Sequence, residues 1–180
     1  MRVVAGELGG RRFAAPRGAA TRPTSERIRE AVFSILGDID GAEVLDLFAG
    51  SGALGIEALS RGAARVTFVE SAPAALRTID RNLAALALAL RSRVVRADVR
   101  LALRSAAVRA SEYDLVFLDP PYARVSAFAG TLADALPGLL APAARVISEC
   151  DRREPLELGL PVILERRYAD TLISIYQARQ

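Results

Sequence analysis

Histidine and lysine are absent from this chain of 180 residues, and cysteine occurs once, at Cys150. Without histidine no Ser-His-Asp triad can be built. The same lack, with only one thiol, argues against a zinc site, and no metal is expected. Cys150 has no intrachain partner, so a disulfide is excluded and the reducing cytoplasm is the expected compartment. No run of about 18 apolar residues offers a membrane span. The opening stretch Met1 to Glu7 lacks the apolar core of a secretory signal.

What is present is a globular composition. About half the residues (52%) are hydrophobic, enough to bury an ordinary core, and the length fits one domain with room for a small appendage. A monomer is the default expectation. All 24 basic residues are arginine, and the net charge is only +3. Their placement is informative. Arg2, Arg11, Arg12, Arg17, Arg22, Arg27 and Arg29 crowd the first thirty residues against Glu7, Glu26 and Glu30. A basic end of this kind is suited to phosphate backbones, and a solvated charged face is the alternative.

Two short extended stretches, Arg2–Ala5 and Arg11–Ala14, flank Gly9-Gly10 and read as a β-hairpin. Residues 17–23 read as a loop. A helix is expected near 25–36, capped by Thr24 or Ser25 and stopped by Gly37, with Ile28, Val32, Ile35 and Leu36 on one face. From residue 43 strand and helix alternate. Strands are expected at Val44–Phe48, Arg65–Val69, Val94–Ala97, Tyr113–Leu118 and Ala144–Glu149. Helices are expected at Ala53–Arg61, Ala72–Leu90, near 99–109 and over 125–139. Five βα units with short links argue a doubly wound, mostly parallel sheet. At the end, Val162–Tyr168 and Thr171–Ala178 are separated only by Ala169-Asp170, too short for a parallel crossover, so this pair must be antiparallel. Residues 1–22 are expected to form an extension and 23–180 the main domain.

The run Asp46-Leu47-Phe48-Ala49-Gly50-Ser51-Gly52-Ala53-Leu54-Gly55 leaves the first parallel strand and opens a helix. Gly50 and Gly52 allow a tight turn and close approach of a ligand, and Gly55 allows close helix–strand packing. Ligands of doubly wound sheets sit at the carboxyl ends of the strands, so Phe48, Ala49, Gly50, Ser51, Gly52 and Gly55 are expected to form a cofactor floor. Glu70, with Ser71 beside it, ends the next strand and can accept ribose hydroxyls from S-adenosylmethionine or a dinucleotide alike. Asp46 favours the former, since a carboxylate meets an α-ammonium well and repels a pyrophosphate. Asp98 either accepts from an adenine amino group or caps a helix.

The most specific signal is Asp119-Pro120-Pro121-Tyr122 after the fourth strand. Two prolines fix φ and remove N–H donors, leaving a stiff corner with outward acceptors. The Asp119 carboxylate and the Pro120 carbonyl can take both hydrogens of an aryl amine. Such an amine is a poor nucleophile until its lone pair is turned out of the ring, and Tyr122 can stack on the base. Together the two turns point to methyl transfer from S-adenosylmethionine to an exocyclic amine.

With both turns in hand, the chain resembles the RsmD family of bacterial 16S rRNA guanine-N2 methyltransferases, which modify the guanine called 966. The resemblance runs through Gly9-Gly10-Arg11-Arg12, Arg22-Pro23-Thr24-Ser25-Glu26-Arg27-Ile28-Arg29, Asp46 to Arg61, Glu70, and Asp119 to Tyr122. It implies a Rossmann-like class I methyltransferase sheet, α/β, with a small N-terminal β-hairpin that grips RNA. It implies S-adenosylmethionine as donor and 16S rRNA or the small ribosomal subunit as partner. Arg11, Arg12, Arg22, Arg27 and Arg29 are the expected RNA contacts. The competing readings are an amino-methyltransferase of DNA adenine or cytosine, a glutamine methyltransferase, an NAD-binding oxidoreductase and a catalytically silent RNA-binding module. An oxidoreductase leaves the Asp-Pro-Pro-Tyr corner unexplained.

Overall fold

The computed structural model describes residues 1–15, 26–121 and 125–178. The expected loop, the helix-capping candidates Thr24 and Ser25, Arg22 and the boundary between residues 22 and 23 lie outside those residues, as does Tyr122.

Helix α1 (Glu26–Leu36) buries Arg29, Val32, Phe33 and Leu36, the spacing of a single helical face. Strand β1 (Glu43–Leu47) follows, then α2 (Ala53–Ser60), β2 (Arg65–Glu70), α3 (Pro73–Ala85) and β3 (Ser92–Arg96). Two short helices, α4 (Val99–Ala102) and α5 (Ala106–Arg109), lead to β4 (Tyr113–Leu118). Helix α6 (Val125–Ala135) precedes β5 (Leu140–Asp151), and β6 (Val162–Tyr168) and β7 (Thr171–Gln177) close the chain.

The strands form one sheet in the order β3-β2-β1-β4-β5-β7-β6. The first five are parallel, and β7 runs antiparallel to both β5 and β6. Alternate residues of β1 serve opposite faces. Val44 joins Phe33, Ile56, Phe68, Ile79 and Phe117 on one side, while Leu45 and Leu47 join Leu103, Val116, Phe128 and Leu132 on the other. Both faces are therefore covered, as a parallel sheet requires. Helix α2 is buried along its whole length, pressed between the sheet and the N-terminal segment. Each fully buried Leu or Phe contributes about 1.5–3 kcal/mol, so this shared core accounts for the docking of the N-terminal residues Val3 and Phe13.

Several expected elements change length for identifiable reasons. The helix expected over Ala72–Leu90 stops at Ala85. Ala87 turns left-handed (φ 59°) and Leu88 donates back to the Leu83 carbonyl, which buries both Leu86 and Leu88. Arg91 then staples the following turn to the carbonyls of Leu59 and Ala63. The helix expected near 99–109 breaks in two, with Ser105 donating back to the Ala102 carbonyl at the break. Pro137 converts the end of the helix expected over 125–139 into a 3-10 turn. The fifth strand is longer than Ala144–Glu149 and carries an irregularity opposite Tyr113 and Leu115. The expected N-terminal hairpin is reduced to one antiparallel bridge, Arg2 with Arg12. It is closed by Val3 donating to Arg11 and Phe13 donating to Met1.

Candidate active site at the carboxyl ends of the central strands

Strands β1 and β4 are neighbours, and Leu47 pairs with Leu118 at their carboxyl ends. The glycine-rich turn leaves the sheet immediately after Leu47, and Asp119-Pro120-Pro121 leaves it immediately after Leu118. The register brings the two sequence signals to one edge. Asp119 is half-buried, Pro120 buried and Pro121 exposed.

The turn itself is held in a demanding conformation. Phe48, Gly50 and Gly52 all have positive φ, at 64°, 57° and 80°. Phe48 lacks glycine's freedom, and the left-handed region costs an ordinary residue roughly 1–2 kcal/mol. Its ring packs edge-on against Phe128 at 4.8 Å and 74°, which offsets that cost. Ala49 donates to the Val69 carbonyl of β2, and Gly52 donates back to Ala49. A Cβ on Gly55 would lie 2.3 Å from the Phe68 ring, so helix α2 can approach the sheet only with glycine there. A Cβ on Gly50 would meet nothing nearer than 3.9 Å, so the backbone there faces open space.

Two carboxylates fix this turn. Glu70 Oε2 accepts from the Gly50 N–H at 2.9 Å, and its Oε1 accepts from Ser71 and Ala72, each at 2.7 Å. The end of β2 is thereby tied to the middle of the turn. Asp46 sits beneath it, only 2% exposed, with Oδ2 accepting from the Gly55 N–H at 3.0 Å. Burial pushes the Asp46 carboxyl up to about 7; the Gly55 hydrogen bond opposes this and the nearby Glu70 charge adds to it. Asp98 caps α4 by accepting from the Arg100 N–H at 2.9 Å. That is the helix-capping role expected as one of its two readings.

The expected RNA-facing arginines divide. Arg11 and Arg12 are exposed, and Arg11 reaches across to the Ala85 carbonyl at the end of α3. Arg27 is exposed on α1. Arg29 corrects the expectation. It is 0% exposed, donates to the Arg2 carbonyl at 2.7 Å and lies over the Phe13 ring. Burial lowers its pKa, with the charges of Glu57 and Glu26 working against that. Position 29 falls on the same helical face as Val32, Phe33 and Leu36, so its guanidinium is drawn into the seam between α1 and the N-terminal segment rather than toward a phosphate.

Two positioning residues escaped the sequence reading. Glu57, buried in α2, accepts from Val4 at 2.8 Å, from Ala5 at 3.0 Å and from Arg61 Nε at 2.8 Å. Asn82, buried in α3, accepts from the Ala14 N–H at 2.8 Å and donates to the carbonyls of Ala14 and Ser51, each at 3.0 Å. One amide thus joins the N-terminal segment to the glycine-rich turn. A signal was available in both cases: a polar residue at helical spacing from apolar ones, Glu57 with Ala53 and Leu54, and Asn82 with Ala75 and Ile79.

Residues 1–177 match the family described as Conserved hypothetical protein 95. The chain is 37% identical to the Ribosomal RNA small subunit methyltransferase D of Escherichia coli strain K12, over 91% of this chain and 79% of that protein. A Thermus hypothetical protein of known structure superposes with a TM-score of 0.84 at 28% identity, covering 99% of both chains. An RNA methyltransferase from Salinibacter ruber, solved with S-adenosyl-L-homocysteine, shares the fold at a TM-score of 0.66 and 19% identity, over 88% of this chain and 95% of that one. The sheet is thus the Rossmann-like class I methyltransferase fold, and the chain belongs to the family of the small-subunit rRNA methyltransferases D.

Proposed function

We propose that this chain transfers a methyl group from S-adenosylmethionine to the exocyclic N2 amine of a guanine in 16S rRNA of the small ribosomal subunit. The observation that carries the reading is the Leu47–Leu118 register, which sets an acceptor-rich diproline corner beside a glycine-rich ligand turn. The E. coli relative, a ribosomal RNA small subunit methyltransferase, supports rRNA as the substrate.

The turn fits the donor. Space is open above Gly50, and two carboxylates, Asp46 and Glu70, stand at the turn. That pair suits a cationic, hydroxyl-bearing ligand and disfavours the pyrophosphate of a dinucleotide. Phe48 to Gly52, Glu70 and Ser71 would hold S-adenosylmethionine, with the Asp98 oxygen not used in the α4 cap reaching its adenine, and when bound it supplies a sulfonium methyl. Gly55, expected in this set, instead seats α2 against Phe68. Asp46 acts from below, fixing Gly55, and an ammonium group above it would favour its ionised form.

The remaining work falls to the diproline corner. The Asp119 carboxylate and the Pro120 carbonyl accept the two amino hydrogens of the guanine and hold its lone pair out of the ring plane. Asp119, or water beside it, receives the proton that the methylated nitrogen releases. Little base strength is needed, because positive charge already sits on the donor and is dispersed as the bond forms. Positioning can therefore supply much of the acceleration, roughly 7–11 kcal/mol in well-oriented systems. Arg11, Arg12 and Arg27, with Arg22, would take the phosphates of the flanking RNA. The guanine must leave its stack to reach the corner, at a few kcal/mol.

The test is equilibrium titration with S-adenosylhomocysteine and with NAD, followed by transfer of labelled methyl to unmodified small-subunit rRNA. The reading requires binding of the first ligand only and entry of label into the RNA. Binding of NAD, or label that stays with the protein fraction, would overturn it.

A further inference from the structure

We propose that the exposed face of α3 is a phosphate track that carries rRNA between the N-terminal segment and the active site, with Arg77 and Arg81 as its contacts. This rests on the rRNA reading above. Helix α3 buries Ala75, Leu76, Ile79, Asn82 and Leu83, which leaves Pro73, Ala74, Arg77, Asp80, Arg81, Ala84 and Ala85 outward. Arg77, Arg81 and Ala85 stand four residues apart, so they form one row along the helix. The row begins beside the active site, because Pro73 lies three residues past Glu70. It ends where Arg11 donates to the Ala85 carbonyl at 3.0 Å, beside exposed Arg12. The span from position 73 to 85 is about 18 Å at the helical rise.

Several arginines elsewhere on this surface are occupied by acids. Arg2 pairs with Glu26, Arg91 with Glu7, Arg96 with Asp80 and Arg153 with Asp151. Arg77 and Arg81, like Arg12, Arg27, Arg104, Arg109 and Arg167, have no ion pair or side-chain hydrogen-bond partner among the described residues, and what sets them apart is their alignment in one helical row. The acid on their own helix, Asp80, is engaged by Arg96 through both oxygens at 2.9 and 3.0 Å. Like charges four residues apart on a helix destabilise it slightly, so the pair is not explained by stability. The flanking alanines keep the ridge low, which lets one anionic backbone touch both guanidinium groups and then Arg11 and Arg12. RNA is the occupant because the row is cationic, unpartnered and starts at the cofactor side of the active site, with β1 between it and the corner where the target base must arrive. An acidic protein surface would use the same charges but would give no reason for a row that starts at the active site.

The test compares wild type with the R77A/R81A pair on naked rRNA across a salt series, reading KM, kcat and S-adenosylhomocysteine affinity. R104A/R109A, equally exposed arginines on other elements, is the control. Alanine is the best helix former, so α3 persists in the variant. Losing two phosphate contacts should lower the salt slope by about 1.4 and raise KM about ten-fold near 0.2 M salt. The turnover and cofactor affinity should stay as in wild type, the control pair should change little, and R77K/R81K should restore most of the slope. An unchanged slope and KM in R77A/R81A, or an equal loss in the control, would overturn the track. So would a loss seen with assembled subunits but not with naked rRNA, which would mark a protein contact instead. If wild type neither binds nor methylates rRNA, the parent reading fails before any variant is compared.

Discussion

Leu47 of β1 and Leu118 of β4 are register partners in adjacent parallel strands, and the chain leaves the sheet after each of them at the same edge. The proposed chemistry rests on that pairing. A slip of one residue would turn a strand's side chains to the opposite face, so the buried residues of both strands lock the register. The packing that stabilises the sheet also fixes the distance between the ligand turn and the diproline corner.

Asp119→Ala should remove one of the two acceptors for the target amine. Methyl transfer should fall about 10²–10³-fold, while S-adenosylhomocysteine affinity changes little, since the turn at Gly50 is held by Glu70 instead. Single-turnover transfer alongside equilibrium titration separates the two effects. Full activity in this variant would remove Asp119 from the chemistry.

Glu70→Ala should act on binding. Three backbone N–H groups, of Gly50, Ser71 and Ala72, lose a charged acceptor. One such bond is worth about 1.5–3 kcal/mol, so at least a ten-fold loss of cofactor affinity is expected. Calorimetric titration would reveal it, and wild-type affinity would show that Glu70 is not part of the ligand site.

Asp46 predicts a pH dependence. Its carboxyl is raised from 3.8 to about 7 in the folded chain. Between those values the folded state holds a proton that the unfolded state has released. Stability must therefore fall as pH rises from about 4 to about 7, by on the order of 1 kcal/mol per unit, and level off above. Asp46→Asn should abolish this component and gain on wild type as pH rises. Urea unfolding of both proteins across that range measures it, and a difference that does not vary with pH would contradict the assignment.

Asn82→Ala leaves the N–H and carbonyl of Ala14 and the carbonyl of Ser51 without their partner. The buried Ser51 carbonyl costs about 1–3 kcal/mol when orphaned and the half-exposed Ala14 groups less, so a loss of about 2–3 kcal/mol is expected. Because Ser51 lies in the ligand turn, cofactor affinity should fall as well. Denaturant unfolding with a parallel titration tests both, and a stability loss with unaltered affinity would confine Asn82 to a structural role.

Much of this was legible in the chain itself. Tyr113–Leu118 is a strand with the expected bounds, and the antiparallel pairing of β6 with β7 followed from the two-residue link at Ala169-Asp170, whereas the place of β7 against β5 did not. These features are local, so pattern and turn chemistry specify them. The early end of α3 was not legible, because it depends on where Leu86, Leu88 and Arg91 find partners in distant elements. Arg29 misled for the same reason. On a helix wheel it is one more arginine in a basic segment, and only the arrival of Met1 to Phe13 over α1 turns it into a buried tether. Glu57 and Asn82 gain their meaning from contacts with residues more than fifty positions away.

The most direct test of the central claim is nucleoside analysis of small-subunit rRNA from cells with and without this gene, after labelling through S-adenosylmethionine. The account predicts labelled N2-methylguanosine at one position, present with the gene and lost without it. Identical methylation profiles in the two RNAs, or a difference confined to a ring nitrogen or a ribose, would contradict it.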